Sequence, residues 1–258
     1  MSPKVPLFVH VAHGRDGSNH SIGITGDGIA YSWGTSNSMG QLGRSSGNIT
    51  FPQPVMIDEE CVAYRSYAGG LSESGHSAIL NESRSCLYVA GCDRWQQLGL
   101  GSSKGGASGY TWGDGGRIWR SEFVPNLYLQ DFMRDESKSP KIRDVALGAD
   151  HTVVLSENRK HVYTFGKGGE GQLGIIGKPF VSAPVRSSEL SSNKEGQIAA
   201  ICAIHHCSLT LDDHGNILKK AGKCRTTRAM KESLNACIQR AKQDGLLQSG
   251  MQKKSKES

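Results

Sequence analysis

His20, His76, His151 and His206 stand 56, 75 and 55 residues apart, and closely similar text follows each of them. The copies read "NHSIGITGDGIAYSWGTSNSMGQLG" (19–43), "GHSAILNESRSCLYVAGCDRWQQLGLG" (75–101) and "DHTVVLSENRKHVYTFGKGGEGQLG" (150–174). A worn copy, "HHCSLTLDDHGNILKKAGK", covers 205–223. Self-similarity at such a period means that no unit buries its own apolar face. Each needs a neighbour, and the solutions are propellers and solenoids.

Each part of the repeat has a mechanical reading. After the histidine comes an alternating apolar strand: Ile22 and Ile24, Ala78 and Leu80, Val153 and Leu155, Leu209 and Leu211. Short polar turns follow ("TGDG", "NESRS", "SENRK", "DDHG"), and then a second strand. Together they predict hairpins with a buried face. Gly34, Gly91 and Gly166 fall where the second strand breaks, at a close turn that excludes a side chain. The Gln-Leu-Gly beyond reads as a loop whose leucine (Leu42, Leu98, Leu173) turns back into the core. The histidines are expected to bond backbone groups that join unit to unit. None has the carboxylate or nucleophile beside it that a catalytic histidine needs.

The pattern resembles the repeat family of the regulator of chromosome condensation. That consensus runs from proline-valine through a strand ending in glycine and His-Ser, then a strand, a turn, Trp-Gly and Gly-Gln-Leu-Gly. "PQPVMI" (52–57), "FVPNLYL" (123–129, order reversed) and "SAPVRS" (182–187) stand in for the proline-valine portion, and the likeness covers roughly residues 9–222. It implies an all-β propeller of four-stranded blades, usually seven in the family. Seven units of about 55 residues need roughly 385 residues, and the chain has 258. Three full units (28–80, 86–155, 161–211) and a half-unit at each end predict about four blades. They form either a closed ring, with the two halves pairing in one blade, or an open arc. The expected organisation is propeller repeats over 1–223, a C-terminal amphipathic helix over 224–248 and a disordered basic tail over 249–258.

The helix is predicted by Met230, Leu234, Cys237, Ile238 and Ala241 at helical spacing, with Gly245 as its stop. It reads either as a cap on an exposed blade edge or as a docking element for another protein. Of the net charge of +6, +8 lies in residues 215–258, which hold 11 Lys/Arg and 3 Asp/Glu. The rest of the chain is close to neutral, and nucleic acid enters as a partner through the tail alone. The middle spacing is the long one because of "GSSKGGASGYTWGDGGRIWRSE" (101–122). Aromatics and arginines on a glycine-rich loop have the composition of interface hot spots. The candidate partner-binding residues are therefore Tyr110, Trp112, Arg117, Trp119 and Arg120 on this loop, with Arg228, Lys231 and Arg240 on the helix. The charged stretch 131–144 reads as a solvated turn.

Seven cysteines without Cys-x-x-Cys spacing, and a start unlike a secretory signal, read as reduced thiols in an intracellular chain, cytoplasmic or nuclear. "CAIHHC" (202–207) lies in an apolar strand whose neighbours point to opposite faces, so it is not read as a metal site. "GKGGEG" (166–171) lacks the Gly-Lys-Ser/Thr ending of a phosphate loop. No cofactor or membrane is implied. The expected function is a non-catalytic interaction scaffold or subunit of a larger assembly. The alternative implied by the resemblance is nucleotide exchange or regulation on a Ran-like small GTPase. The ultraviolet sensing of a plant relative is set aside, because the chain has four tryptophans and no Gly-Trp-Arg-His-Thr.

Overall fold

The computed structural model describes residues 6–14, 18–45, 47, 49–71, 73–101, 119–134, 141–225 and 227–248. They form four antiparallel sheets, each a meander in chain order. The first blade is β1 (Phe8–His13), β2 (His20–Thr25), β3 (Ala30–Gly34) and β4 (Ile49–Pro54). The second is β5 (Ala63–Gly69), β6 (His76–Asn81), β7 (Leu87–Cys92) and β8 (Trp119–Pro125). A helix α1 (Leu127–Arg134) leads to the third: β9 (Ile142–Leu147), β10 (His151–Ser156), β11 (Val162–Lys167) and β12 (Phe180–Arg186). The fourth has three strands, β13 (Ala200–Ile204), β14 (Cys207–Leu211) and β15 (Ile217–Gly222), and is followed by helix α2 (Arg228–Gln243). Prolines occur in the outermost strands β4, β8 and β12, where a missing N–H faces no neighbour.

Alternation gives the middle strands two apolar faces, and the blades stack on them. Ile22, Ile24 and Ala30 of the first blade meet Ile79, Tyr88 and Ala90 of the second. The second blade's other face (Ala78, Leu80, Leu87, Val89) meets Val145, Val154, Tyr163 and Phe165 of the third. Val153, Leu155 and Val162 continue to Ile201 and Ala221 of the fourth. The far face of the fourth blade (Cys202, Ile204, Leu209, Leu211) lies under Leu234, Cys237, Ile238 and Ala241 of α2. Among the described residues, the first and fourth blades share no packing of comparable extent. The four blades are therefore an open arc with a helix covering one end.

Three expectations need correction. The half-units do not pair across the ends: 6–25 supplies the two inner strands of a blade complete in itself, and each blade begins with the strand before the repeat's second-position strand. The segment read as a solvated turn (131–144) holds the last residues of α1 and the start of β9, where Ile142 and Asp144 are buried; the first turn of α1 is capped by Asn126 Oδ1, which accepts from Leu129 N at 2.9 Å. Leu129 then packs into the core between the second and third blades. Four cysteines are not reduced thiols: Cys202 is bonded to Cys237 and Cys207 to Cys224. The first bond ties α2 to β13, and the second ties the chain beyond β15 to β14.

The glycine that ends each second repeat strand is set by close approach. Gly166 pairs with His151 at φ +102°, and a Cβ there would stand 2.5 Å from the Asp150 carbonyl oxygen. Gly166→Ala is expected to lower stability by about 3 kcal/mol in urea unfolding, from strain and overlap together. Gly169→Ala, where a Cβ meets nothing within 4 Å, is the control and shifts it by less than about 1 kcal/mol.

Candidate interaction surface

The repeat text resolves into a clasp between blades. In the loop after each second repeat strand the glutamine side chain bends back on its own backbone. Gln41, Gln97 and Gln172 Oε1 accept from the N–H of Met39, Trp95 and Glu170 at 3.0, 2.9 and 2.9 Å. That leaves the glutamine carbonyl pointing at the next blade. Ser77 Oγ donates to Gln41 O at 2.7 Å, Thr152 Oγ1 to Gln97 O at 2.7 Å, and Ser208 Oγ to Gln172 O at 2.7 Å. The leucines beside them, Leu42, Leu98 and Leu173, are fully buried. The blade-to-blade bond therefore belongs to the residue after the histidine. The histidines also hold their own blades: His20 and His76 Nδ1 face Ser18 O and Ser74 O at 3.1 and 3.3 Å. Two reach the next blade as well: His76 Nε2 stands 3.5 Å from Thr152 Oγ1, and His151 comes closer. Ser208 has given its proton to Gln172 O, so it accepts from His151 Nε2–H at 2.9 Å.

The fourth anchor shifts by one. Register pairs His20 with Gly34, His76 with Gly91 and His151 with Gly166, but pairs Cys207 with Gly222. His206 lies in the turn before it. Burial pushes the imidazoles of His20 and His76 down to about 4 and that of His151 down to about 3. These rings are neutral packing groups.

Helix α2 starts at Thr227, whose side chain accepts from Met230 N at 3.1 Å, and ends before Gly245 in a left-handed conformation. Its C-terminal end reaches the inner strands of all four blades. Arg240 grips Asp144 of β9 through both guanidinium nitrogens, at 3.1 and 3.0 Å, and also reaches Val145 O and Ile201 O, each at 3.2 Å. Asp244 Oδ1 lies 3.4 Å from His10 Nε2 of β1, and its carbonyl accepts from Arg65 of β5 at 2.5 Å. Between the helix and the inner strands lies a cavity of about 500 Å³, lined among others by His10, Ser66, Leu147, His205 and Gln243.

The candidate partner-binding residues scatter. Tyr110, Trp112 and Arg117 lie outside the described residues. Trp119 is partly exposed at the start of β8, opposite Cys92, and Arg120 pairs with Gly91. Arg228, beside Glu232 at 2.8 Å, and Lys231 are exposed on α2. Arg240 is not available to a partner, because its guanidinium is held inside the chain. A surface that the residue-by-residue reading missed lies on the first blade. Phe8 stacks on Trp33 with ring centroids 5.3 Å apart and meets Tyr31 edge-on at 5.5 Å, with Leu7, Val9, Val11 and Phe51 exposed. Alternation in 7–13 was the signal for it.

An arc of stacked antiparallel blades, three of four strands and one of three, clasped in series by loop glutamines, defines a β-propeller repeat protein. The model of the regulator of chromosome condensation (RCC1) repeat matches residues 17–41 and 142–172. The protein RCC2 homolog of Xenopus laevis is 30% identical over 186 residues, 67% of this chain and 32% of that protein. The guanine nucleotide exchange factor SRM1 of Saccharomyces cerevisiae is 29% identical over 154 residues, 58% of this chain and 29% of that protein. The crystal structure of human WBSCR16 superposes with a TM-score of 0.62 at 20% identity, over 87% of this chain and half of that one. The chain carries RCC1-type repeats and is similar to proteins of that family, and it spans about a third of the length of the curated relatives it matches.

Proposed function

We propose that the chain is a non-catalytic protein-interaction module, a subunit that holds partners on the outside of its arc. One observation carries this reading: the polar residues the repeat brings together are committed to joining blades. The carbonyls of Gln41, Gln97 and Gln172 and the hydroxyls that donate to them are buried against one another, and the first three repeat histidines are buried and neutral. The inner strands are engaged by the C-terminal end of α2 through Arg240 and Asp244, so partners are expected at loops, the polar side of α2 and the outer face of the first blade. The test is native purification at the natural expression level with measurement of mass. Stable companions at fixed stoichiometry are expected, and a solitary monomer without companions overturns the proposal. We place the chain inside the cell, in nucleus or cytoplasm, by analogy with the family. The two disulfides are the feature that argues against a reducing compartment.

A second reading is regulation of a Ran-like small GTPase, supported by the likeness to the yeast exchange factor. It predicts faster release of labelled guanine nucleotide from such a GTPase when the chain is added. A flat trace removes it and leaves the first reading standing.

A further inference from the structure

The two ends of the arc differ. The far face of the fourth blade is sealed by α2. The outward face of the first blade has the layout of a blade-to-blade interface, and among the described residues no blade lies on it. Register places Ser21 where Ser77, Thr152 and Ser208 stand, one residue past the partner of the strand-ending glycine. Those three hydroxyls each donate to a glutamine carbonyl of the preceding blade. Among the described residues the Ser21 hydroxyl meets no such carbonyl; Ser21 is 8% exposed, at the rim of this face, and its hydroxyl meets His13 Nδ1 of its own blade at 2.7 Å.

The apolar part of the face matches as well. Ser21 is opposite Trp33, and Gly23 is opposite Tyr31 and Val11. In the second blade the corresponding residues Ser77, Ala90, Ile79 and Tyr88 are buried against the first. Here the place of Ile79 is taken by Gly23, and the ring of Phe8 lies over it. Around it Leu7 is 86% exposed, Val9 67% and Val11 38%, while the alternate residues Phe8, His10 and Ala12 are half-buried. Contiguous apolar surface of this kind marks an interaction site.

We propose that this face receives a four-stranded propeller blade supplied by another polypeptide, whose Gly-Gln-Leu-Gly loop offers its glutamine carbonyl to Ser21. The proposal rests on the interaction-module reading and names its surface and partner class. A second copy of the chain is not the occupant. Its Gln41, Gln97 and Gln172 carbonyls each already hold a hydroxyl. Its fourth blade is covered by α2, and "KCRTTR" follows β15 where a Gly-Gln-Leu-Gly loop would stand.

The test places the photocrosslinker benzoylphenylalanine at Val11 of the full chain, with a second placement at Phe51, in extract from the native source. Adduct peptides are then sequenced. The expected adduct is a peptide from a different polypeptide that carries an RCC1-type blade. Val9→Asp lowers its yield at least tenfold, and Ser21→Ala lowers it severalfold. The substituted side chains at Val9, Val11 and Phe51 are exposed, so the variants keep the parent's circular dichroism and urea midpoint. Adducts only with further copies of this chain, only with proteins lacking such a blade, or none above the non-irradiated control, overturn the proposal. Companions that co-purify without crosslinking through a blade leave the interaction reading intact and sink this one.

Discussion

Arg240→Ala is expected to cost the chain about 3–5 kcal/mol in urea unfolding, the range for removing one partner of a buried ion pair. Asp144 has no exposed side-chain surface. It also accepts from its own Val145 N at 2.9 Å and from Ile201 N at 3.3 Å, so it joins β9 to β13 as well as to α2. Without the guanidinium its charge stays buried with two amide donors. Coulomb attraction lost at an interior site outweighs the few tenths of a kcal/mol by which alanine improves helix propensity. Two comparisons separate charge from packing. Asp144→Asn combined with Arg240→Met removes both charges and is expected to recover a large part of the loss. Arg228→Ala, which breaks an exposed pair on the same helix, changes stability by less than about 1 kcal/mol. An Arg240→Ala midpoint within error of the parent overturns this account of how α2 is held.

Acid is expected to unfold the chain well above the pH at which carboxylates protonate. His20 and His76 titrate at about 4 and His151 at about 3 in the folded chain, in each case because burial disfavours the imidazolium. Unfolded histidines titrate near 6.5. Between pH 6.5 and about 4 the unfolded chain takes up protons that the folded chain refuses, so stability falls as pH falls. Each histidine contributes on the order of 3 kcal/mol across its window. Asp93 works in the opposite direction. Desolvation pushes its carboxyl up to about 7, so the folded chain keeps a proton there that the unfolded chain loses above about 4. One carboxyl against three imidazoles leaves the histidines in control. The urea midpoint is expected to drop steeply from pH 6.5 to 4.5, and His151→Gln is expected to flatten that slope by about a half. A midpoint unchanged over this interval overturns the prediction.

The number of blades was legible because the repeat is local: a hairpin, its turn and its closing glycine lie within about 25 residues, and period-two alternation states which side is buried. What the glutamine does was not legible. Its side chain acts two residues away, but its carbonyl acts on a hydroxyl 36 or 55 residues further on, and only stacking brings those together. The fourth anchor was misplaced because His205 and His206 are adjacent and the strand register, not the residue type, selects Cys207. The amphipathic stripe of α2 was plain, whereas the role of Arg240 was not. An arginine on the flank of a stripe looks solvent-facing until the fold delivers Asp144 from 96 residues upstream. The Cys202–Cys237 disulfide escaped for a similar reason, since it depends on a helix lying across the face of the terminal blade, whereas Cys207–Cys224 follows from the β14–β15 register, which pairs Cys207 with Gly222. The capping asparagine before α1 was present in the text, but a helix between two blades has no precedent in the other repeats.

In a row of stacked units each member ordinarily feels only its neighbours, and such a row melts by fraying from whichever end is weakest. Helix α2 changes that. Through Asp244, Arg240 and Cys237 it binds the first, second, third and fourth blades to one rod, so losing an end blade strips contacts from the others. The four units are thereby coupled beyond their nearest neighbours, and the arc is expected to unfold as a single cooperative body, with one urea transition by fluorescence and by circular dichroism.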